Sequence, residues 1–355
     1  MIQKIALHHF RNYGVEVFGC TPGINLVVGP NGHGKTNLLE AIHFACLGHS
    51  PSTRKEKDLI RWGAEEGVVR LEGILQEEEH TQSVKVHQQG QKETRVNGKV
   101  GKRLADLMGH FSLVLLSPED IQIVQGSPNL RRKFLDVHLC QISPHYLQEL
   151  RTYNRVLKQR NTLLKDFEKY SYEVLDVLDQ QLGESGDHIV KERAQFIQAL
   201  GPLASNYYTD VSQGRESLEL AYAPSVEEDQ PLTEILRKKR ISDREARVTL
   251  SGPHRDNLLT LIDGKSAADF GSQGQKRLVS LSLKLACSAL LEERLGRAPI
   301  LLLDDVFAEL DEERRIQLST IIGKARQAFL ASPREEDLPF DVQNVLRIQD
   351  GSLSC

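Results

Sequence analysis

The sequence predicts an α/β fold: a strand, turn and helix unit, an antiparallel β subdomain beside it and a helical domain inserted into it. Three observations carry this. The apolar run Ile24-Asn25-Leu26-Val27-Val28 ends in a glycine-rich stretch, Gly29 to Thr36, and leads into residues at helical spacing. A second apolar run, Ile300-Leu301-Leu302-Leu303, ends in Asp304-Asp305. Between Pro118 and Arg240 the chain turns rich in Leu, Gln, Glu, Arg and Lys, with few β-branched clusters, a composition that favours helix.

Taken in order, Ile2 to Leu7 alternates loosely, Phe10-Arg11-Asn12-Tyr13-Gly14 turns, and Ile24 to Val28 follows; the two runs read as strands of one sheet. After Lys35, Leu38, Ile42, Ala45 and Cys46 fall at helical spacing. From Gly67 to Val100 the pattern is β, in Val68 to Glu72, Val84 to Val86 and Thr94 to Val96, with Asn97-Gly98 as a two-residue hairpin signal. Phe111 to Leu116, bounded by Ser117-Pro118, suits a strand buried on both faces. In the insert Tyr146, Leu150, Tyr153, Leu157, Leu164 and Phe167 form a seam that Arg160 interrupts. Its span of about three heptads fits a core-facing helix of a small bundle better than a coiled coil. Strands return at Val248-Thr249-Leu250 and at Leu258 to Ile262, the latter closed by Asp263-Gly264. A helix from Gln275 to about Leu295, the strand at Ile300, a helix from Asp311 and a last strand near Ala328-Phe329-Leu330 complete the chain. The expected division is 1–117, 118–240 and 241–355, the first and third parts forming one domain around the insert.

Composition narrows the function classes. Hydrophobic residues at 39% and charged residues at 26% belong to an ordinary globular protein. No window is long and apolar enough for a membrane span, and Met1 to Phe10 lacks a signal core, so a cytoplasmic protein is expected. The five cysteines, Cys20, Cys46, Cys140, Cys287 and Cys355, form no C-x-x-C pair, which argues against zinc and disulfide frameworks. A net charge of −4 gives no global attraction to nucleic acid, so any such surface must be local.

Gly29-Pro30-Asn31-Gly32-His33-Gly34-Lys35-Thr36 satisfies G-x-x-x-x-G-K-[ST] in its confirming setting, after a strand and before a helix. In such a loop backbone N–H groups converge on phosphate, Lys35 adds positive charge and Thr36 offers a hydroxyl to Mg²⁺. Asp304 and Asp305, at a strand end, are the expected metal-side acid and general base. The third element is Gly271-Ser272-Gln273-Gly274-Gln275, which opens a helix.

The loop, the signature-like string and the paired acids, in that order, resemble an ABC-type P-loop ATPase head. Further strings make the chain similar to the RecF family of SMC-like DNA-repair ATPases over nearly its whole length. They are Phe10 to Tyr13, Ser117 to Asp120, Gly126-Ser127-Pro128 with Arg131 to Asp136, Gly252-Pro253-His254-Arg255-Asp256, and Gly271 to Arg277. The resemblance implies a head with a short helical arm, ATP and Mg²⁺ as cofactors, and an ATP-dependent homodimer. Ser272, Gln273, Gly274 and Gln275 would then face the γ-phosphate held by the other copy of the chain, with Gln273 standing where the family carries glycine. It further implies Gln122 as a metal or water contact and Arg11 and Tyr13 near the nucleotide or packing a strand end. Asp311 reads as a D-loop contact across the dimer interface or a helix N-cap. No histidine follows Ala328 to Leu330, which leaves Ser332 as the local candidate for sensing γ-phosphate. His254-Arg255-Asp256 reads either as a charged turn near the site or as an internally satisfied loop.

The family likeness also implies binding to double-stranded DNA at single-strand gap junctions, RecA loading with RecR and RecO, and slow turnover, in the context of DNA damage, the SOS response, replication and homologous recombination. Association with the nucleoid follows. Asp305, one methylene shorter than the usual glutamate, agrees with slow turnover. Candidate DNA contacts are Arg54, Lys55 and Lys57 with Arg61; Lys99, Lys102 and Arg103; Arg131, Arg132 and Lys133; Arg151, Arg155, Lys158 and Arg160; and Arg237, Lys238, Lys239 and Arg240 with Arg244. None shows aromatic interleaving, so backbone contact to duplex is expected. The rival readings are the nucleotide-binding component of a transporter, which the long insert between Gly34 and Ser272 disfavours, and a passive ATP-bound DNA clamp.

Overall fold

The computed structural model describes residues 1–53, 55–101, 104–165, 172–226, 230–307, 311–334 and 340–354. The chain divides into two compact units, Met1–Asp120 with Cys287–Cys355, and Ile121–Ala286. The first begins with β1 (Ile2–His8), β2 (Val15–Gly19), β3 (Gly23–Val28), α1 (Lys35–Leu47), β4 (Glu66–Leu75), β5 (Glu78–His87), β6 (Lys92–Val96), β7 (Lys99–Gly101) and β8 (Leu113–Leu116). The second holds α2 (Ile121–Gln125), α3 (Pro128–Ile142), α4 (Pro144–Lys165), α5 (Tyr172–Ser212), β9 (Leu218–Ala223), α6 (Leu232–Lys238), α7 (Arg240–Ala246), β10 (Asn257–Ile262), β11 (Lys265–Ser266) and α8 (Ala267–Phe270). Helix α9 (Gln273–Leu295) starts there and ends in the first unit, which is completed by β12 (Ile300–Asp304), α10 (Glu312–Ile322), β13 (Gln327–Ser332), β14 (Asn344–Gln349) and β15 (Ser352–Ser354). No described helix is long and apolar enough to cross a membrane.

The first unit contains two six-stranded sheets. One is antiparallel, in the order β2-β1-β4-β5-β6-β7; the other runs β15-β14-β3-β13-β12-β8, parallel except for the edge strand β15. The expectation that Ile2–Leu7 and Ile24–Val28 share a sheet is therefore corrected. Strand β1 alternates between buried and exposed residues, as a sheet with one wet face requires, whereas β3 is buried from Ile24 to Val28 and takes the parallel sheet. Helix α1 packs on β4 and β5 of one sheet and on β8, β12 and β13 of the other. Every residue from Leu38 to Leu47 is buried, so the helix has no wet face. The hairpin at Asn97-Gly98 forms with both residues at positive φ, as a tight primed turn demands.

In the second unit, α4 packs along α5, while β9, β10 and β11 form a three-stranded antiparallel sheet. Pairing of β9 with β10 ties residues 257–262 to the helical segment, so this unit extends to Ala286 where the sequence division stops at 240. Strands β9, β14 and β15 have no counterpart in the sequence reading, and Val248-Thr249-Leu250 is not a strand. Thr249 is drawn into a polar core instead, its N–H donating to Asn161 Oδ1 at 2.8 Å.

That core centres on Arg160, which occupies the seam of α4 instead of interrupting it and is wholly buried. Its Nε donates to Asp179 Oδ1 at 2.7 Å, and its Nη1 donates to Asp243 Oδ2 at 2.7 Å and Thr249 Oγ1 at 2.8 Å. The two carboxylates are as buried as the guanidinium. Phe167, the last seam position, lies outside the described residues. A second buried cation, Arg193, binds Asp136 at 2.7 Å and the Pro253 carbonyl at 2.7 Å. Asp256 accepts from the Tyr222 hydroxyl and from Ser225 N. His254 Nδ1 meets the Tyr153 hydroxyl at 2.6 Å. The string Gly252 to Asp256 is thus an internally satisfied loop. Removing one member of a buried charge cluster strands its partners, so Arg160→Ala should destabilise the protein by about 3–5 kcal/mol. Urea unfolding followed by helical circular dichroism measures this; a loss below about 1 kcal/mol would mean the cluster is not a structural centre.

Candidate active site

Parallel register places the glycine-rich loop and the paired acids at the same sheet end. Val28 of β3 pairs with Ser332 of β13, and Ala331 pairs with Asp304 of β12, so one strand separates the two elements. Loops at the carboxyl ends of such strands are where α/β sheets bind ligands. Thr36, in the first turn of α1, donates from Oγ1 to Asp304 Oδ1 at 3.0 Å.

The loop is shaped from two sides. A Cβ at Gly29 would lie 2.2 Å from the Ile348 carbonyl oxygen, so the backbone of β14 presses on its entry. Gly34 has φ 120°, and a Cβ there would meet Asn12 Nδ2 at 2.7 Å, so glycine is required on both counts. The Tyr13 hydroxyl donates to Gly34 O at 2.8 Å, Asn12 Nδ2 donates to His33 O at 2.9 Å, and Asn37 Nδ2 donates to Asn12 Oδ1 at 2.8 Å. Asp350 N donates to His33 Nδ1 at 3.1 Å and Gly351 N to His33 O at 3.0 Å. Pro30, Asn31 and Gly32 form the loop's exposed crest. Lys35 Nζ donates to Gly29 O at 2.7 Å, Pro30 O at 3.0 Å and Asn31 Oδ1 at 3.3 Å.

Arg11, expected near the nucleotide or at a packed strand end, is held by α1. Its Nε and Nη2 donate to Glu40 at 2.6 and 2.9 Å, its Nη2 also to Ser52 Oγ at 3.2 Å and its Nη1 to the Asp58 carbonyl at 2.9 Å. Burial pushes the Glu40 carboxyl up, but hydrogen bonds from Arg11, Ser50 and Ser52 outweigh this and hold it below the usual carboxylate range. Tyr13 packs and hydrogen-bonds at the loop, so its phenol shapes the backbone there. The importance of Asn12, Asn37 and Glu40 was not visible in the sequence; the string Phe10 to Tyr13 and the turn pair Asp350-Gly351 were the available signals.

Asp304 is half-buried, and its pKa is raised, first by desolvation and further by the Glu119 and Asp305 carboxylates. Lys35 is lowered by burial against the opposing pull of Asp305 and Asp304. Asp305 is exposed with φ 49°, a left-handed conformation that aspartate tolerates better than most residues. Ser332 turns its hydroxyl to the Arg334 carbonyl at 2.8 Å. Asp311 caps α10, accepting from Arg314 N at 2.9 Å; Ala308, Glu309 and Leu310 lie outside the described residues.

The expected signature residues Ser272 to Gln275, and Gln122, belong to the second unit. Ser272 is exposed and caps α9 through a reciprocal pair, Ser272 N to Gln275 Oε1 at 2.7 Å and Gln275 N to Ser272 Oγ at 3.2 Å. Gln275 Nε2 donates to Glu216 at 2.6 Å, and Gln273 and Gly274 are exposed in the first turn. Gln122 is exposed on α2. Among the DNA candidates, Arg131 is corrected to a structural role: it is buried, donating to Asn257 Oδ1 at 2.7 Å and the Gly126 carbonyl at 2.8 Å. Arg132 bonds the Asp256 carbonyl, Lys239 bonds Ser251 Oγ, and Arg240 pairs with Asp176 and Asp179. Lys55, Lys57, Lys133, Arg151, Arg155, Lys158, Arg237 and Lys238 are exposed. Arg54, Lys102 and Arg103 lie outside the described residues.

An acid with a raised pKa weakens the fold while it is ionised, and that penalty fades as pH falls through the raised value. Asp304→Asn keeps an acceptor for Thr36 but removes the charge. It should raise the melting temperature of nucleotide-free protein at neutral pH, and the gain should shrink on acidification. Thermal melts across pH check this; a gain that grows towards low pH would contradict the assignment.

The model of the RecF/RecN/SMC N terminal domain matches residues 1–349. The DNA replication and repair protein RecF of Halalkalibacterium halodurans is 38% identical, covering 99% of this chain and 98% of that protein. RecF of Streptococcus gordonii is 39% identical, with 99% of each covered. A solved structure of the recombination mediator protein RecF-ATP in the RecFOR pathway superposes with TM-score 0.93 at 32% identity, covering 99% of this chain and 96% of that one. An Smc head bound to the C-winged helix domain of ScpA, at 18% identity and TM-score 0.61, shares the fold. The chain therefore belongs to the RecF family of DNA replication and repair proteins, within the RecF/RecN/SMC N-terminal domain group.

Proposed function

We propose that the chain binds ATP with Mg²⁺ in the loop Gly29 to Thr36 and closes as an ATP-dependent homodimer on double-stranded DNA at single-strand gap junctions. Slow hydrolysis then resets it. In this reading it works in the cytoplasm, at the nucleoid, with RecR and RecO, and assists RecA loading. The observation that carries the nucleotide part is the Thr36 to Asp304 hydrogen bond, which joins the loop's hydroxyl to the acid of a different strand. A relative solved as RecF-ATP supports the same ligand.

The donor set fits Mg²⁺. Hard oxygens are what this ion takes, and the Asp304 carboxylate is raised in pKa by desolvation and by the fields of Glu119 and Asp305, a penalty that a divalent cation would relieve. Thr36 and Asp304 would hold the ion, with Gln122 a further expected contact; bound there it would supply charge neutralisation to the phosphates. Lys35, now donating to the carbonyls of its own loop, would exchange them for phosphate oxygens. Asp305 would orient the attacking water. Its short, exposed side chain supports slow turnover. Ser272 to Gln275, at the start of α9, would present N–H groups and a hydroxyl to the γ-phosphate of a second copy. Asp311 would act near that contact while capping α10.

Losing a charge-assisted bond weakens binding, so Lys35→Ala should lower ATP affinity about tenfold or more, measured by calorimetry. Light scattering tests the dimer. ATP with Mg²⁺ should double the mass seen with ADP, and Ser272→Arg should abolish the doubling. A mass indifferent to nucleotide, with and without duplex DNA, would leave the passive clamp as the better reading. Asp305→Asn separates the two: a switch becomes trapped as the ATP dimer, whereas a clamp binds and releases DNA unchanged.

A further inference from the structure

The chain's single tryptophan, Trp62, is 98% exposed. A residue type that normally buries most of its surface is here offered whole to solvent. The segment carrying it is pinned on both sides. Leu59 and Ile60 are buried, Ile60 bridges to Phe10, and Arg61 N donates to His9 O at 2.8 Å. Ala64 N then closes the turn on Arg61 O at 3.0 Å, Gly63 takes φ 85°, and Gln88 Nε2 holds the Ala64 carbonyl at 2.8 Å. At the apex of a tied turn the backbone is already fixed, so binding has only the indole's own rotamers left to order.

The charge around it selects the partner. Lys55, Lys57 and Arg61 are exposed on the same short segment. Of the intervening acids, Glu56 is neutralised by Lys92, whereas Asp58, which accepts from Thr53 Oγ1 at 3.1 Å, and Glu65 beyond the turn stay charged and exposed, so cations still outnumber free acids on the segment. Flat aromatic area beside exposed cations suits a ligand with a π-face on an anionic backbone. A paired base inside a duplex offers no face to stack on, whereas an unpaired one does. The segment is also fastened to the phosphate loop, since Arg11 binds the Asp58 carbonyl at 2.9 Å while its neighbours Asn12 and Tyr13 bind His33 and Gly34.

We infer that Trp62 stacks on an unpaired base of DNA, with Lys55, Lys57 and Arg61 holding the adjacent phosphates. The inference rests on the DNA-binding reading above and adds to it the element that distinguishes a gap from intact duplex. It also amends the sequence reading, in which no basic patch carried an aromatic residue.

Because the protein has one tryptophan, its emission reports on this residue alone. The full chain with ATP and Mg²⁺ is titrated with oligo(dT), with a blunt duplex and with the same duplex carrying a gap, while fluorescence anisotropy of labelled DNA reports binding independently. Oligo(dT) and gapped DNA should quench the emission, and blunt duplex should bind without quenching it. Trp62→Ala should weaken gapped-DNA binding about tenfold, leave duplex binding and the melting temperature unchanged, and be rescued by Trp62→Phe. Binding of gapped DNA with neither quenching nor loss in Trp62→Ala overturns the inference while DNA binding stands. Absence of binding to every DNA overturns both. An emission shift driven by protein concentration alone, with DNA silent, would assign the surface to a second copy of the chain and overturn it as well.

Discussion

The parallel pairing of β3, β13 and β12 is the constraint from which the active end follows. It places the end of β3 and the end of β12 side by side across one strand, so the loop at Gly29 and the acid at Asp304 must meet. A hydrogen bond from Thr36 closes that meeting. Helix α1, which begins inside the loop, is buried from Leu38 to its end between this sheet and the antiparallel one. Sealing a helix on all sides leaves its polar residues in need of partners. Glu40 takes Arg11, and that pairing draws Phe10 to Tyr13 to the loop, where Asn12 and Tyr13 fix its carbonyls. The two glycines at the loop's start and bend are the positions where neither backbone nor Asn12 leaves room for a side chain.

The second unit is organised by charge as much as by apolar packing. Arg160 gathers two carboxylates and a hydroxyl, and Arg193 a carboxylate and a carbonyl, from segments distant in sequence, and a guanidinium can do so because its fork offers several donors in fixed directions. For Arg193, burial opposes the charge, but Asp136 and Tyr146 outweigh it and raise the pKa. Such clusters contribute specificity: an apolar residue at 160 would fill the seam without choosing Asp179, Asp243 and Thr249 as neighbours.

What was legible in the sequence were features that depend on local chemistry. The loop at Gly29, the strand ending in Asp304-Asp305, the hairpin at Asn97-Gly98 and the helix cap at Ser272 each follow from a few adjacent residues, and each forms. What depends on distant partners was not legible. Arg160 reads as a break in a seam until Asp179 and Asp243 are brought to it. Thr249 sits in a β-like run yet bonds Asn161, and β9 is a strand inside a helical composition because β10 pairs with it. Arg131 reads as a surface cation until Asn257 and the Gly126 carbonyl take its donors. The exposure of Trp62 was invisible for the converse reason, since nothing local marks a tryptophan as unburied.

The claim on which the rest turns is that the sheet end joining Thr36 to Asp304 is a magnesium-dependent nucleotide site. Calorimetric titration of ATP with and without Mg²⁺, on wild type and Thr36→Val, tests it most directly. Wild type should bind far more tightly with Mg²⁺, and Thr36→Val should lose that dependence while retaining the weaker metal-free binding. Equal affinities with and without Mg²⁺ in the wild type, or a magnesium dependence that survives in Thr36→Val, would contradict it.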